Sequence, residues 1–149
     1  MTRLGENERK TAISLIKGER TLNVISLNPD SLTNEFIQDC TYKMQKKGIH
    51  IALIQETKLK KNKDYRTING YRVLTTAAID GQNGAPQGGT AIIICKELAS
   101  MVRNVIRHNR RVIQVMIQNG KNDLPINVFP TYPLRNGHAK LTYAIFGKT

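Results

Sequence analysis

Cysteine is scarce in this chain, acidic side chains are half as common as basic ones, and no apolar run is long. The two cysteines, Cys40 and Cys95, each lie in an apolar or amphipathic segment and form no CxxC pair. That excludes a disulfide framework. With His50, His108 and His138 far apart in sequence, it also excludes a recognisable zinc motif. Both thiols read as reduced, packed groups of an intracellular protein, nuclear or cytoplasmic rather than secreted. No apolar stretch approaches the roughly 20 residues that a bilayer-spanning helix needs, so no membrane span is expected. Residues 1–20 are polar and mixed in charge, with only Ala12 to Ile16 apolar. They are not a signal peptide and read as a loose leader or short helix before a domain over 21–149. Internal repeats and low-complexity tracts are absent.

Eleven Asp and Glu face 23 Lys and Arg, for a net charge of +12. Such an excess favours polyanions, either nucleic acid or an anionic membrane surface. The cations are densest at Lys58, Lys60, Lys61, Lys63 and Arg66, and again at Arg103, Arg107, Arg110 and Arg111. A solvated charged surface needs no function, and charge supplies affinity for phosphates without supplying chemistry. At 149 residues and 40% hydrophobic content, the chain is long enough and apolar enough for one domain with a real core.

Residues 21–27 are rich in β-branched and large apolar side chains and read as a strand, broken by Pro29 and Asp30. Ser31 is the expected cap of a helix from about Thr33 to Lys47, with Leu32, Phe36, Ile37, Cys40 and Met44 on one face and Gly48 ending it. Residues 49–54 are nearly all apolar, as in a strand covered on both faces. The unit is strand-helix-strand, with its two strands parallel. After it come a basic loop over 58–66, a strand over 71–77 entered through Asn69-Gly70, and a loop over 80–89. A buried strand over 90–95 follows, where Gly88-Gly89 suggests close backbone packing or a bulge. Two strands over 101–106 and 111–118 are next, the second barely alternating and so read as buried on both faces. Asn119-Gly120 turns into a partner strand over 124–129, which Pro125 marks as an edge. A weakly amphipathic segment over 138–146 reads as the start of a helix.

Chemistry enters at Ile54-Gln55-Glu56-Thr57-Lys58, an apolar strand that ends in a carboxylate. The first strand ends in Asn28, 28 residues earlier. A strand-helix-strand unit brings both to one sheet edge, where a hard divalent cation could meet oxygen ligands and a phosphate. Plain readings stand beside these. Glu56 can be an ordinary polar residue at a strand end, Asn28 an Asx-turn, Asp30 a helix-start residue favoured by the dipole, and the lysines a solvated run.

The ordered set Ser26-Leu27-Asn28-Pro29-Asp30, Gln55-Glu56-Thr57-Lys58, Ile68-Asn69-Gly70-Tyr71, Gly88-Gly89-Thr90-Ala91-Ile92 and Ile126-Asn127-Val128-Phe129 with Tyr132-Pro133 resembles the endonuclease/exonuclease/phosphatase family. The deoxyribonuclease I-like enzymes belong there. The likeness is nearest to the reverse transcriptase-associated endonucleases of non-LTR retrotransposons, and it covers about Thr21 to Pro133. It implies an α/β fold, the N-terminal half of a four-layer sandwich: strand-helix-strand, then mostly antiparallel strands. It implies Mg²⁺ held by Glu56 and Asn28, with Asp30 at a further acidic position of the abasic-endonuclease branch. Tyr132 takes the place of a phosphate-contacting tyrosine, and Lys58, Lys60, Lys61 and Lys63 are set to meet DNA. The implied activity is phosphodiester hydrolysis.

The departures are equally specific. The family places one residue between its tyrosine and the following proline, and Tyr132-Pro133 has none, so Phe129 is the other candidate for that place. Pro29 and Ser31 replace the usual residues of the Asn-x-x-Gly turn. No Asp-x-Asn pair and no late Asp-His pair follow Pro133. The second-sheet half is expected to be missing, leaving one apolar sheet face exposed. The expectation is therefore a truncated, retrotransposon-derived endonuclease-like domain with little activity of its own. The alternatives are a basic, non-catalytic nucleic-acid-binding module and a phosphatase-type relative of the same fold.

Overall fold

The computed structural model describes residues 23–118, 120, 126–128 and 140–142. Strand β1 (Val24–Leu27) leads through helix α1 (Asn34–Lys47) to strand β2 (Ile51–Gln55). The two strands are parallel, with Val24 opposite Ile51 and Leu27 opposite Ile54, as the short strand-helix-strand pattern requires. The helix is capped by Thr33 rather than by Ser31. Thr33 is extended, and its Oγ1 accepts the Phe36 N–H at 3.0 Å. Ser31 is exposed at φ 131°, outside the reach of a cap. Gly48 closes the helix in the left-handed region (φ 67°) and donates its N–H to the Met44 carbonyl. Leu32, Ile37, Cys40 and Met44 are buried from this segment, and Phe36 packs at the margin.

The chain then adds β3 (Lys63–Arg66), β4 (Arg72–Thr76), β5 (Ile79–Asp80), β6 (Pro86–Gln87) and β7 (Thr90–Ile94). A single helical turn, α2 (Lys96–Ala99), precedes β8 (Val102–Asn109), β9 (Val112–Ile117), β10 (Ile126–Val128) and β11 (Lys140–Thr142). The main sheet runs β11-β1-β2-β7-β4-β3, with every pair after β1/β2 antiparallel. Two expectations change here. Part of the basic loop, Lys63–Arg66, is the edge strand β3, in which only Tyr65 turns toward the core. Lys140–Thr142, expected in a helix, pairs as a strand with β1. The loop over 80–89 carries a small hairpin, β5 with β6.

A second sheet, β10-β9-β8, is also present. Ile113, Val115, Ile117 and Val128 join the same buried cluster as Val73, Leu74, Ile92 and Ile93. Successive strand residues point to opposite faces. Both Val73 and Leu74 are fully buried, and so are both Ile92 and Ile93. Neither face of β4 or β7 is left to water, and the three-stranded sheet meets both strands through β9, so the uncovered apolar face expected from sequence does not occur there. Each such side chain removed from water contributes about 1.5–3 kcal/mol. Strand β9 itself alternates: its three buried residues are separated by Val112, Gln114 and Met116, which are only partly covered. No helix among the described residues is long and apolar enough to cross a membrane. Cys40 and Cys95 are free, buried thiols, pushed up to about 11 and about 12 by burial.

Candidate phosphate and metal site

Because β1 and β2 are parallel and in register, they run out at the same end of the sheet. Asn28 and Glu56 leave from these adjacent strand ends. Strand β7 starts beside them, with Thr90 opposite Gln55. The turn at 56–58 is stapled on both sides by main chain. Leu32 N donates to Thr57 O at 2.9 Å, Thr57 N to Gly89 O at 3.1 Å, and Lys58 N to Gly88 O at 3.0 Å. This close approach accounts for the Gly88-Gly89 pair. Both have positive φ, and a Cβ on Gly89 would collide with Thr57 Oγ1 and lie 3.2 Å from Lys58 N. Under the rim, Gln55 Nε2 donates to Ser26 Oγ at 3.0 Å, so two buried polar residues satisfy each other across β1 and β2.

Glu56 is half-buried at φ 54°, and its Oε2 accepts the Gly88 N–H at 3.2 Å. Asn28 Oδ1 accepts the Asp30 N–H at 3.2 Å, the Asx-turn geometry. Asp30 Oδ1 lies 2.7 Å from Lys58 Nζ. That hydrogen bond, helped by the charges of Asp30 and Glu56, holds the exposed Lys58 ammonium above the usual lysine range. The structure therefore brings Asn28, Asp30, Glu56 and Lys58 together. Lys60 pairs with Asp80 at 2.7 Å, and Lys61 and Lys63 are exposed beside it. Lys63 lies opposite Thr75 and Thr76 opposite Thr90, so these lysines share the Glu56 end of the sheet. Tyr132, Phe129 and His138 lie outside the described residues. His50 is at the opposite end, and His108 is exposed with its ring 2.9 Å from Gln114 Oε1.

Two residues of the second basic stretch, Arg107 and Arg110, reach the same rim, which the sequence did not signal. Arg107 spans the two sheets, donating from Nε to Thr75 O at 2.8 Å and from Nη2 to Lys63 O at 3.1 Å. The carbonyl of Arg110 accepts the Gly89 N–H at 2.9 Å. Only the docking of the β8–β9 hairpin puts these arginines here, and nothing in their local sequence encodes it.

Among the described residues, no group of three or more His, Cys, Asp or Glu is gathered to hold a metal. A closed cage of protein ligands is therefore not what these residues offer. One carboxylate, one amide oxygen and a nearby Asp fit a Mg²⁺ that keeps most of its waters and shares a phosphate.

No protein-family model matches the sequence, and no curated protein is similar enough in sequence to match. Among solved structures, the chain is similar to the AP endonuclease LMAP from Leishmania major, with a TM-score of 0.54 and 14% identity over 92% of this chain and 50% of that one. It is also similar to an endonuclease/exonuclease/phosphatase family protein from Leptotrichia buccalis, with a TM-score of 0.46 and 14% identity over 77% of this chain and 56% of that one. The chain spans about half the length of these structures. The likeness to the Leishmania enzyme is one of fold: the mixed α/β architecture read from the sequence is the one observed.

Proposed function

We propose that this chain carries the metal-side half of a Mg²⁺-dependent phosphodiesterase site and holds DNA through its basic rim. Its lineage is proposed to be that of the retrotransposon endonucleases. The observation that carries the reading is the convergence of Glu56 and Asn28 at adjacent strand ends, with Lys58, Lys60, Lys61 and Lys63 at the same end of the sheet. Glu56 and Asn28 would hold Mg²⁺, which when bound neutralises charge on the phosphate. Glu56 is oriented for this by the Gly88 N–H and by the stapled turn beneath it. Asp30 fixes Lys58 over the rim, and the exposed lysines track the phosphate backbone. Tyr132 is proposed as a further phosphate contact.

A general base and its orienting carboxylate supply large rate factors, and no Asp-x-Asn or Asp-His pair follows Pro133. These 149 residues by themselves are therefore expected to bind rather than cleave. A second reading, a purely basic binding module, is favoured by the pairing already in place: Asn28 Oδ1 accepts from Asp30, and Asp30 holds Lys58.

Plasmid nicking and DNA binding, with and without Mg²⁺, test both readings on the wild-type chain and Glu56→Gln. The metal-site reading expects Mg²⁺ to tighten DNA binding in the wild type and not in the variant, with neither nicking above background. Nicking that the substitution abolishes would overturn the inactive part of the proposal. Salt-sensitive binding that ignores both Mg²⁺ and the substitution would leave only the binding module.

A further inference from the structure

Arg110 stands where the β8–β9 hairpin turns against the Glu56 rim, and its two ends have different surroundings. Its carbonyl docks the hairpin, accepting from Gly89 N at 2.9 Å and from Thr90 Oγ1 at 3.4 Å. Its side chain lies over Gly88. A Cβ on that glycine would be 2.8 Å from Arg110 Cδ, 2.9 Å from Cγ and 3.1 Å from Nε. The same glycine gives its N–H to Glu56 Oε2. The guanidinium stem and the candidate metal-binding carboxylate are thus neighbours across one residue that has no side chain.

Arg110 Nε is shut off from solvent, yet it has no hydrogen-bond partner among the described residues. A donor on a charged group, left unmade away from water, is costly, and folded proteins rarely leave one without a reason. The Glu56 carboxylate, close as it is, does not satisfy it. Arg107 shows the contrast: its Nε and Nη2 are both spent on main-chain carbonyls, which makes it a strut between the sheets. A guanidinium offers Nε–H and Nη–H as a planar fork that matches two oxygens of a phosphate, and Gly88 leaves the room in which it lies.

We propose that Arg110 is a phosphate-positioning residue, whose guanidinium takes the oxygens of a nucleic-acid backbone phosphate at the Glu56 rim, its unpaired Nε edge turning out from cover to do so. This rests on the nucleic-acid reading above. Gly88 then has two tasks: its N–H orients Glu56, and its bare Cα leaves room for the arginine. Substrate supplies the acceptor that the folded chain withholds.

The test is fluorescence anisotropy with a labelled, mixed-sequence DNA duplex of about 20 base pairs, in EDTA, across roughly 50 to 200 mM salt. Arg110→Gln should weaken binding about tenfold at the low end. It should also make the slope of log K against log salt shallower by about 0.9, one phosphate contact. Arg110→Lys keeps the charge and so the slope, and should recover only part of the affinity because it lacks the fork. Lys96→Gln, at the opposite end of the sheet, should leave both values near wild type. Thermal melting of Arg110→Gln should match wild type, since the hairpin is docked by the Arg110 carbonyl. Wild-type affinity and slope in Arg110→Gln would overturn the proposal, as would full rescue by lysine. If Arg110→Gln does not fold, the lysine variant decides. If Arg110→Gln is silent while Lys61→Gln with Lys63→Gln weakens binding, only Arg110 is excluded. If the wild-type chain shows no salt-dependent binding, the rim reading fails and this inference with it.

Discussion

The two ends of the main sheet handle backbone strain in opposite ways. At the end where β2 and β4 begin, positive φ is taken by glycine, at Gly48 (67°) and Gly70 (86°). At the end where β1 and β2 finish, it is taken by Asp30, Ser31, Glu56 and Lys58 as well as by Gly88 and Gly89. These four are the only non-glycine residues with positive φ among those described. Glycine reaches that region without steric cost, whereas a side chain there costs on the order of 1–3 kcal/mol and persists only where the surroundings enforce it. One end is built for stability. The other carries charged side chains in conformations that a purely structural turn would leave to glycine.

The largest break in this contrast comes from the glycines themselves. Gly89→Ala places a methyl group against Thr57 Oγ1 and Lys58 N at φ 86°, and should cost about 3 kcal/mol. Gly48→Ala pays only for its left-handed backbone, about 1 kcal/mol. Urea midpoints of the two variants measure the difference, and equal losses would remove the distinction between the ends.

Acid should act on the opposite end. His50 is buried, its Nδ1 accepts the Asn23 N–H at 2.8 Å, and Nε2 has no partner among the described residues. Burial, opposed in part by the charge of Glu97, lowers its pKa to about 4. The unfolded chain, titrating near 6.5, binds the proton first, so stability is full above about pH 6.5 and falls as pH drops toward 4. The loss is on the order of 3 kcal/mol. His50→Asn, which can still accept from Asn23, should flatten the urea midpoint over that window. An unchanged pH profile would show that another group is responsible.

The smallest effect has the opposite sign. Lys58→Gly removes a side chain from φ 58° and sacrifices only a surface ion pair, so it should raise the urea midpoint slightly. Lys43→Gly in α1 should lower stability by about 1 kcal/mol. If the charged rim is retained for binding, the Lys58 variant should melt higher and hold DNA less tightly.

Much of the frame was legible in the sequence because it is local. Periodicity gave α1, an apolar run gave β2, and Gly48 and Gly88-Gly89 announced a cap and a close approach. Strand β3 is not legible because Lys63, Asp64 and Arg66 are polar, and only an edge position next to β4 makes them a strand. Lys140–Thr142 looks helical in sequence because its pairing partner, β1, lies more than a hundred residues away. The same limit applies to the site. Asn28 and Glu56 could be paired from one strand-helix-strand unit, whereas Arg110 depends on how a distant hairpin docks.

The staples around residues 56–58 run from main chain to main chain: Leu32 to Thr57, Thr57 to Gly89, Lys58 to Gly88. Peptide groups are the same whichever side chains they carry. Substitutions can therefore accumulate around Glu56 without moving it, as long as the two glycines stay. A carboxylate mounted this way is placed by the backbone alone.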